Sequence, residues 1–308
     1  MHARIHRLGA VALGIAAFLA FAVVGGVRTS GSVVATAARV PFDASRCVVI
    51  GASVSAGCEA SLPGFRPAGL RDLVGHCNFA GVLGAVGAGT PAKGDGDSLF
   101  FMSPDSAAAR QLAMARAASP SVLFAVDFLF WHAYGDRIDA AGRRERLRKG
   151  LAELATFTCP VVVGDIPDMS HTILISKAQF PGKEAIDAMN VEIRQWAAAR
   201  PNVVLIPLFD IVGKAIREQP LSFGGRQFTG QEARALLTFS GLHVTPAGLI
   251  ALSHDCLARL AERRLLPPNV AWDKDVEAIT GRLVQAHQET VRRRRSPAAT
   301  PGERAVGP

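Results

Sequence analysis

The sequence predicts an α/β domain, a parallel sheet covered by helices on both faces. Two observations carry that reading. Short apolar runs rich in Val, Ile and Leu occur at residues 47–50, 122–126, 160–163 and 202–206, with the length and composition of buried strands. Longer segments with apolar residues at helical spacing lie between and after them, at residues 106–118, 143–157, 183–199 and 247–264. Strands that alternate with helices build parallel sheets, because each crossover must carry the chain back to the same end of the sheet. In such sheets ligands meet the residues just past the carboxyl ends of the strands. That rule selects Gly51-Ala52-Ser53, Asp127, Gly164-Asp165 and Asp210 for inspection.

In chain order, residues 1–37 come first and read as a leader. Arg4 and Arg7 precede an uncharged run from Leu8 to Val27, and Ala35-Thr36-Ala37 fits an A-x-A cleavage site. The run is also long enough to span a bilayer, so the alternatives are a cleaved signal peptide and an uncleaved membrane anchor. Either places the following domain outside the cytoplasm, periplasmic or secreted, with membrane association through the N-terminal segment if it is kept. A domain over residues 38–268 follows. Residues 269–308 then hold a peripheral helix, with Val276, Ile279, Leu283 and Val284 on one side, and a Pro-, Gly- and Arg-rich tail expected to be disordered.

Charge separates the same three parts. The chain carries +8, of which residues 1–37 supply Arg4, Arg7 and Arg28 with no acid, and residues 282–308 supply six arginines against Glu289 and Glu303. The middle is left close to neutral, which argues against a nucleic-acid partner, since such proteins carry their basic residues along a folded face. The five cysteines show no C-x-x-C spacing or Cys/His cluster, so no metal and no cofactor is expected. Cys58 and Cys77 are the pair expected to bridge in an oxidising compartment, whereas Cys47 and Cys159 lie in strand-like runs and read as buried small hydrophobes.

The stretch VVIGASVSAG, Val48 to Gly57, is an apolar run that breaks into small residues. It lacks the lysine of a phosphate-binding Walker loop and the G-x-G-x-x-G spacing of a dinucleotide site. Ser55 stands where the α/β-hydrolase elbow requires glycine. What remains is a strand, a tight turn and Ser53 at the start of a helix, where free N–H groups can hold an oxyanion. A serine needs a base to become a nucleophile. Among eight histidines, His243 stands in FSGLHVTPAGLIALS, just before a helix with Thr245 suited to its cap and Pro246 to its first turn. Ser55, in the first helical turn, is expected to bond backbone.

GASVSAG resembles the first block of the SGNH, or GDSL, hydrolases, and SGLHVTPAG resembles their last block, over roughly residues 43–265 in all. That resemblance implies a flavodoxin-like three-layer α/β/α sandwich and hydrolysis of small-molecule, glycan or lipid esters through an acyl-enzyme. It implies Ser53 as nucleophile and first oxyanion donor, and His243 as general base. The family's glycine donor falls among Gly81, Gly84, Gly87 and Gly89, with Gly84 preferred.

Two family positions differ. Asp127 stands where the third oxyanion donor is an asparagine, and Ser240 stands where the triad acid precedes the histidine by three. Ser240 can accept a hydrogen bond from His243 Nδ1 but cannot balance an imidazolium. Asp127, Asp165 and Asp168 all lie at or just after strand ends, and Asp127 would account for both differences if it faced His243. Phe128, Phe130 and Trp131 could line an acyl pocket or belong to the core. The competing readings are a non-catalytic binding protein with the same fold, and an acyltransferase acting on acylated glycans.

Overall fold

The structure, a computed structural model, describes residues 39–65, 76–135 and 138–295. The leader, its cleavage site and the tail beyond residue 295 lie outside the described residues. In chain order the elements are β1 (Val40–Pro41), β2 (Cys47–Gly51), α1 (Ser53–Ala56), α2 (Phe79–Val86), β3 (Lys93–Gly96), α3 (Pro104–Ala118), β4 (Val122–Ala125), α4 (Phe130–Ala133), α5 (Ala140–Leu154) and β5 (Val161–Gly164). Then come α6 (Lys183–Ala198), β6 (Val203–Ile206), α7 (Leu208–Ile216), β7 (Leu221–Phe223), β8 (Arg226–Phe228), α8 (Gly230–Arg234), α9 (Pro246–Glu262), β9 (Val270–Ala271) and α10 (Val276–Arg295).

Five strands form one parallel sheet in the order β3-β2-β4-β5-β6. Every residue of β2, β4 and β5 is buried, as expected for strands covered on both faces. The chain runs outward from β2 to β3 and then back across β2 to β4. Right-handed crossovers therefore put α2 on one face and α3, α5 and α6 on the other. α9 packs against α2 and β6, and α10 covers α2 and α9, completing three layers. Counted along the chain within this sheet alone, the strand order is the flavodoxin-like 2-1-3-4-5, and its reversal opens a crevice past the carboxyl ends of β2 and β4. Ser53 and Asp127 both sit there.

Four strands and four long helices fall within a few residues of their expected places, and α10 follows its expected apolar stripe. Ile279 and Leu283 are buried, with Val276 and Val284 packed beside them. Among the elements with no forewarning is β3, whose sequence KGDG carries no apolar residue. It is one of the two edge strands, and Gly94 leaves room for the Ala80 side chain of α2, which a Cβ would meet at 2.8 Å.

Candidate active site

The turn after β2 is held from both sides. Gln111 of α3 accepts from the Gly51 N–H at 3.0 Å and donates to the Gly51 carbonyl at 2.7 Å. Gly51 has φ +156°, and a Cβ there would lie 2.0 Å from a carboxylate oxygen of Asp127. Only glycine lets that carboxylate reach α1, where Asp127 Oδ2 accepts the N–H groups of Val54 (2.9 Å) and Ser55 (3.1 Å) and Oδ1 accepts the Ser55 hydroxyl at 2.5 Å. Ser55 thus bonds a carboxylate rather than backbone. Burial pushes the Asp127 carboxyl above its usual range, and the hydrogen bonds from Ser55 and the amides of Ala52 and Val54 offset only part of that.

Ser53 begins α1 and is half-buried. Among the described residues no acceptor meets its N–H and no partner meets its hydroxyl. The other first-turn amides are occupied by Asp127, so the Ser53 N–H is the one left to face an incoming oxygen.

His243 lies in a loop closed at its base by an antiparallel bridge between Leu237 and Val244, with the Thr238 N–H donating to the His243 carbonyl at 2.9 Å. Thr245 caps α9 by accepting the Gly248 N–H at 3.2 Å, and Pro246 takes the first helical position, as the sequence predicts. The side chain is buried, and its Nδ1 lies 2.7 Å from Glu59 Oε2. The same oxygen accepts the hydroxyls of Ser240 at 2.7 Å and Thr238 at 2.8 Å. Burial pushes the Glu59 carboxyl up, but the three hydrogen bonds outweigh it and hold the group below its usual range.

The carboxylate that meets His243 is therefore Glu59 and not Asp127, because Asp127 spends both oxygens on α1. Ser240 does not bond His243 either; it bonds the glutamate that does. Glu59 follows the left-handed Gly57 that ends α1, and has φ +59° itself. A glutamate in that region is uncommon and persists only where surrounding contacts demand it. No motif marks it in the sequence. The one available clue is its position six residues after Ser53, on the same turn.

Gly84 lies inside α2, where a Cβ would meet the backbone of Pro91 at 2.6 Å, so it serves helix packing and not the site. The glycine set against the Ser53 helix is Gly96 at the end of β3, where a Cβ would stand 2.2 Å from the Ala56 nitrogen. Asp165 is buried, accepting the Phe209 N–H at 2.8 Å and lying 3.5 Å from Arg194, while Asp168 accepts the Ser170 N–H at 2.9 Å. Neither reaches His243. Cys58 and Cys77 are buried free thiols rather than a disulfide, both pushed up to about 12 by burial. His132, fully enclosed, is pushed down to about 4 by burial and accepts no catalytic position, with its Nδ1 3.0 Å from the Phe128 carbonyl.

A cavity of about 70 Å³ opens beside Ser53. Leu242 and Val244, the neighbours of His243, line it together with Phe130, whereas Phe128 and Trp131 pack elsewhere, against Phe100 and Phe101 respectively. Among the described residues no group of three or more His, Cys, Asp or Glu side chains could hold a metal ion. A hydroxyl at a helix N-terminus beside an apolar cavity, and a histidine with a carboxylate at Nδ1, are the kinds of group that acyl transfer employs.

No family model and no curated protein matches the chain. Among solved structures, the chain is similar to the lipase/acylhydrolase from Enterococcus faecalis, at 15% identity over 72% of this chain and 98% of that one, with a TM-score of 0.44. It is also similar to a "putative GDSL-like lipase" from Parabacteroides merdae, at 13% identity over 74% of this chain and 100% of that one, with a TM-score of 0.42.

Proposed function

We propose that this protein is an exported serine ester hydrolase of the SGNH type, with Ser53 as nucleophile, His243 as general base and Glu59 as the acid of the triad. The observation that carries the reading is the 2.7 Å hydrogen bond between His243 Nδ1 and Glu59. A carboxylate at Nδ1 fixes the tautomer that leaves Nε2 free to take a proton, and it stabilises the imidazolium that forms. Export rests on the basic-then-apolar pattern of residues 1–37.

In the first half-reaction Ser53 Oγ bonds to the ester carbonyl carbon while His243 Nε2 takes its proton. The carbon–oxygen bond to the alcohol then breaks, and Nε2 gives that proton to the departing oxygen. Water attacks the acyl-serine with Nε2 again as base, the acyl–Oγ bond breaks, and the acid leaves with Ser53 reprotonated. The Ser53 N–H supports the oxyanion at the N-terminus of α1. Asp127 offers no side-chain N–H where the family has asparagine. A missing donor costs about 10²–10³ in turnover, so the rate should be modest.

The test is labelling by a fluorophosphonate together with hydrolysis of p-nitrophenyl acetate. Wild type should label and turn over, Ser53→Ala should do neither, and Glu59→Gln should lose on the order of 10³–10⁴ in kcat. A folded wild type that neither labels nor hydrolyses would favour a binding protein built on this fold.

A further inference from the structure

Among the described residues eight large apolar side chains stand exposed, and six of them share three loops. Leu99, Phe101 and Met102 follow β3, Ile173 and Leu174 follow β5, and Phe239 precedes His243. Ile173 and Phe239 are fully exposed. The sheet is parallel, so the loops after β3 and β5 leave from one end of it, the end that holds Ser53. The third loop reaches the same end through the contact of His243 with Glu59. Single exposed apolar residues are ordinary on a protein surface; six gathered at one end mark an interaction face.

The three loops form one rim, and each tip stands on a fixed base. Phe101 lies 5.5 Å from Trp131 of α4, ring centre to ring centre, and Tyr134 just after α4 binds Pro167 and Met169 through its hydroxyl. The Thr172 N–H donates to the Met169 carbonyl at 3.2 Å, and His171 Nε2 lies 3.4 Å from the Gly241 carbonyl on the third loop. There Arg234 donates to the carbonyls of Thr238 at 2.9 Å and Phe239 at 3.2 Å, which holds the backbone while the phenyl ring points outward.

Charge and shape name the occupant. The three segments, residues 98–104, 170–177 and 234–243, contain Lys177 and Arg234 and no aspartate or glutamate. Flanking Asp97 and Asp105 lie against Arg110 and Arg146, at 2.8 and 3.8 Å. Apolar tips beside basic side chains match a surface that is anionic outside and hydrocarbon beneath. Three separate prominences would require a protein partner with three matching hollows, whereas a lipid surface moulds to any tip that enters it. We propose that this rim docks on an anionic lipid bilayer, with Phe239, Ile173 and the Leu99–Met102 turn entering it and the mouth of the site facing the lipid. The docking requires no turnover, so it stands or falls apart from the hydrolase reading.

The test places tryptophan at the tips of the full chain, as Phe239→Trp and separately Ile173→Trp. Vesicles of phosphatidylcholine and phosphatidylglycerol in equal parts are then added, with brominated acyl chains that quench indole on contact. Val191→Trp, exposed midway along α6, is the control. If residues 1–37 also bind the vesicle they bring the chain to it without burying the tips, so the quenching reports the tips themselves. Both tip tryptophans should be quenched and the control should not. Omitting phosphatidylglycerol should raise the lipid concentration for half-maximal quenching on the order of tenfold, since each basic side chain near an anionic surface contributes about fivefold. Unquenched tips, a control quenched equally, or indifference to phosphatidylglycerol would each overturn the proposal. Unquenched tips together with a dimer that Phe239→Ser converts to monomer in sedimentation would overturn it too, and would assign the rim to a second copy of the chain.

Discussion

Three donors converge on one oxygen of Glu59, and the consequence is a carboxylate whose direction is fixed. Thr238 and Ser240 lie on the His243 loop itself, so the same loop presents the imidazole and aims the acid at it. Removing either hydroxyl takes away one hydrogen bond to an ion without taking away the ion. Thr238→Val and Ser240→Ala should therefore each lower kcat roughly fivefold, about 1 kcal/mol, with KM little changed. Steady-state kinetics on a short ester check this, and a KM effect alone would mean the hydroxyls serve the substrate. Ser53 and His243 stand out in the sequence because each sits in a short motif with its own chain neighbours. Glu59 does not, because nothing in its neighbours announces it. The contact spans the 184 positions between Glu59 and His243, and a left-handed backbone is invisible in the letters. Asp127 was legible as unusual but not as to purpose, since a strand-end carboxylate can turn toward any of several loops.

At the scale of the element, the unit that matters is β2, the turn and α1, with Asp127 as its bolt. A carboxyl whose folded-state pKa is raised gives up its proton less readily folded than unfolded. Its burden on stability is therefore absent below the unfolded pKa and present above the folded one. Asp127→Asn keeps an acceptor for the two amides and can donate to Ser55, so it should fold and lose that burden. The difference in melting temperature, variant minus wild type, should grow as pH rises through the range above the usual carboxylate value, and thermal melts between acid and neutral pH measure it. A difference independent of pH would mean the carboxyl does not titrate in the folded protein. Asp127→Ala instead strands the Val54 and Ser55 amides and should destabilise by about 2–4 kcal/mol. Gly51→Ala should do comparable damage, because its Cβ would lie on the Asp127 carboxylate and φ +156° is strained for alanine. The buried strands and amphipathic helices were readable because burial imposes a composition. The edge strand β3 and the glycine-rich α2 were not, because their pairing and packing depend on the absence of side chains.

Over the whole molecule, the sheet order follows from elements that the sequence places, but the closing layer does not. Residues beyond 268 read as an appendage in the sequence, a helix after the domain has ended. In the structure α10 is seated on α2 and α9. Ile279 is fully buried, Leu283 nearly so, and Arg282 Nε donates to the Ala85 carbonyl at 2.9 Å while its guanidinium pairs with Asp273. The start of the domain is joined to the same region, since β1 pairs in parallel with β9 just before α10. A helix that buries a full isoleucine against the layer carrying α2 is part of the cooperative unit, not an addition to it. Ile279→Ala should then cost about 2–4 kcal/mol, the range for a buried isoleucine truncated where its surroundings cannot collapse. Urea unfolding should show the midpoint lowered with the slope unchanged, a single transition that has moved as a whole. Two transitions, or a midpoint unmoved, would instead mark α10 as a unit that melts apart from the sheet, with the α2 layer stable without it.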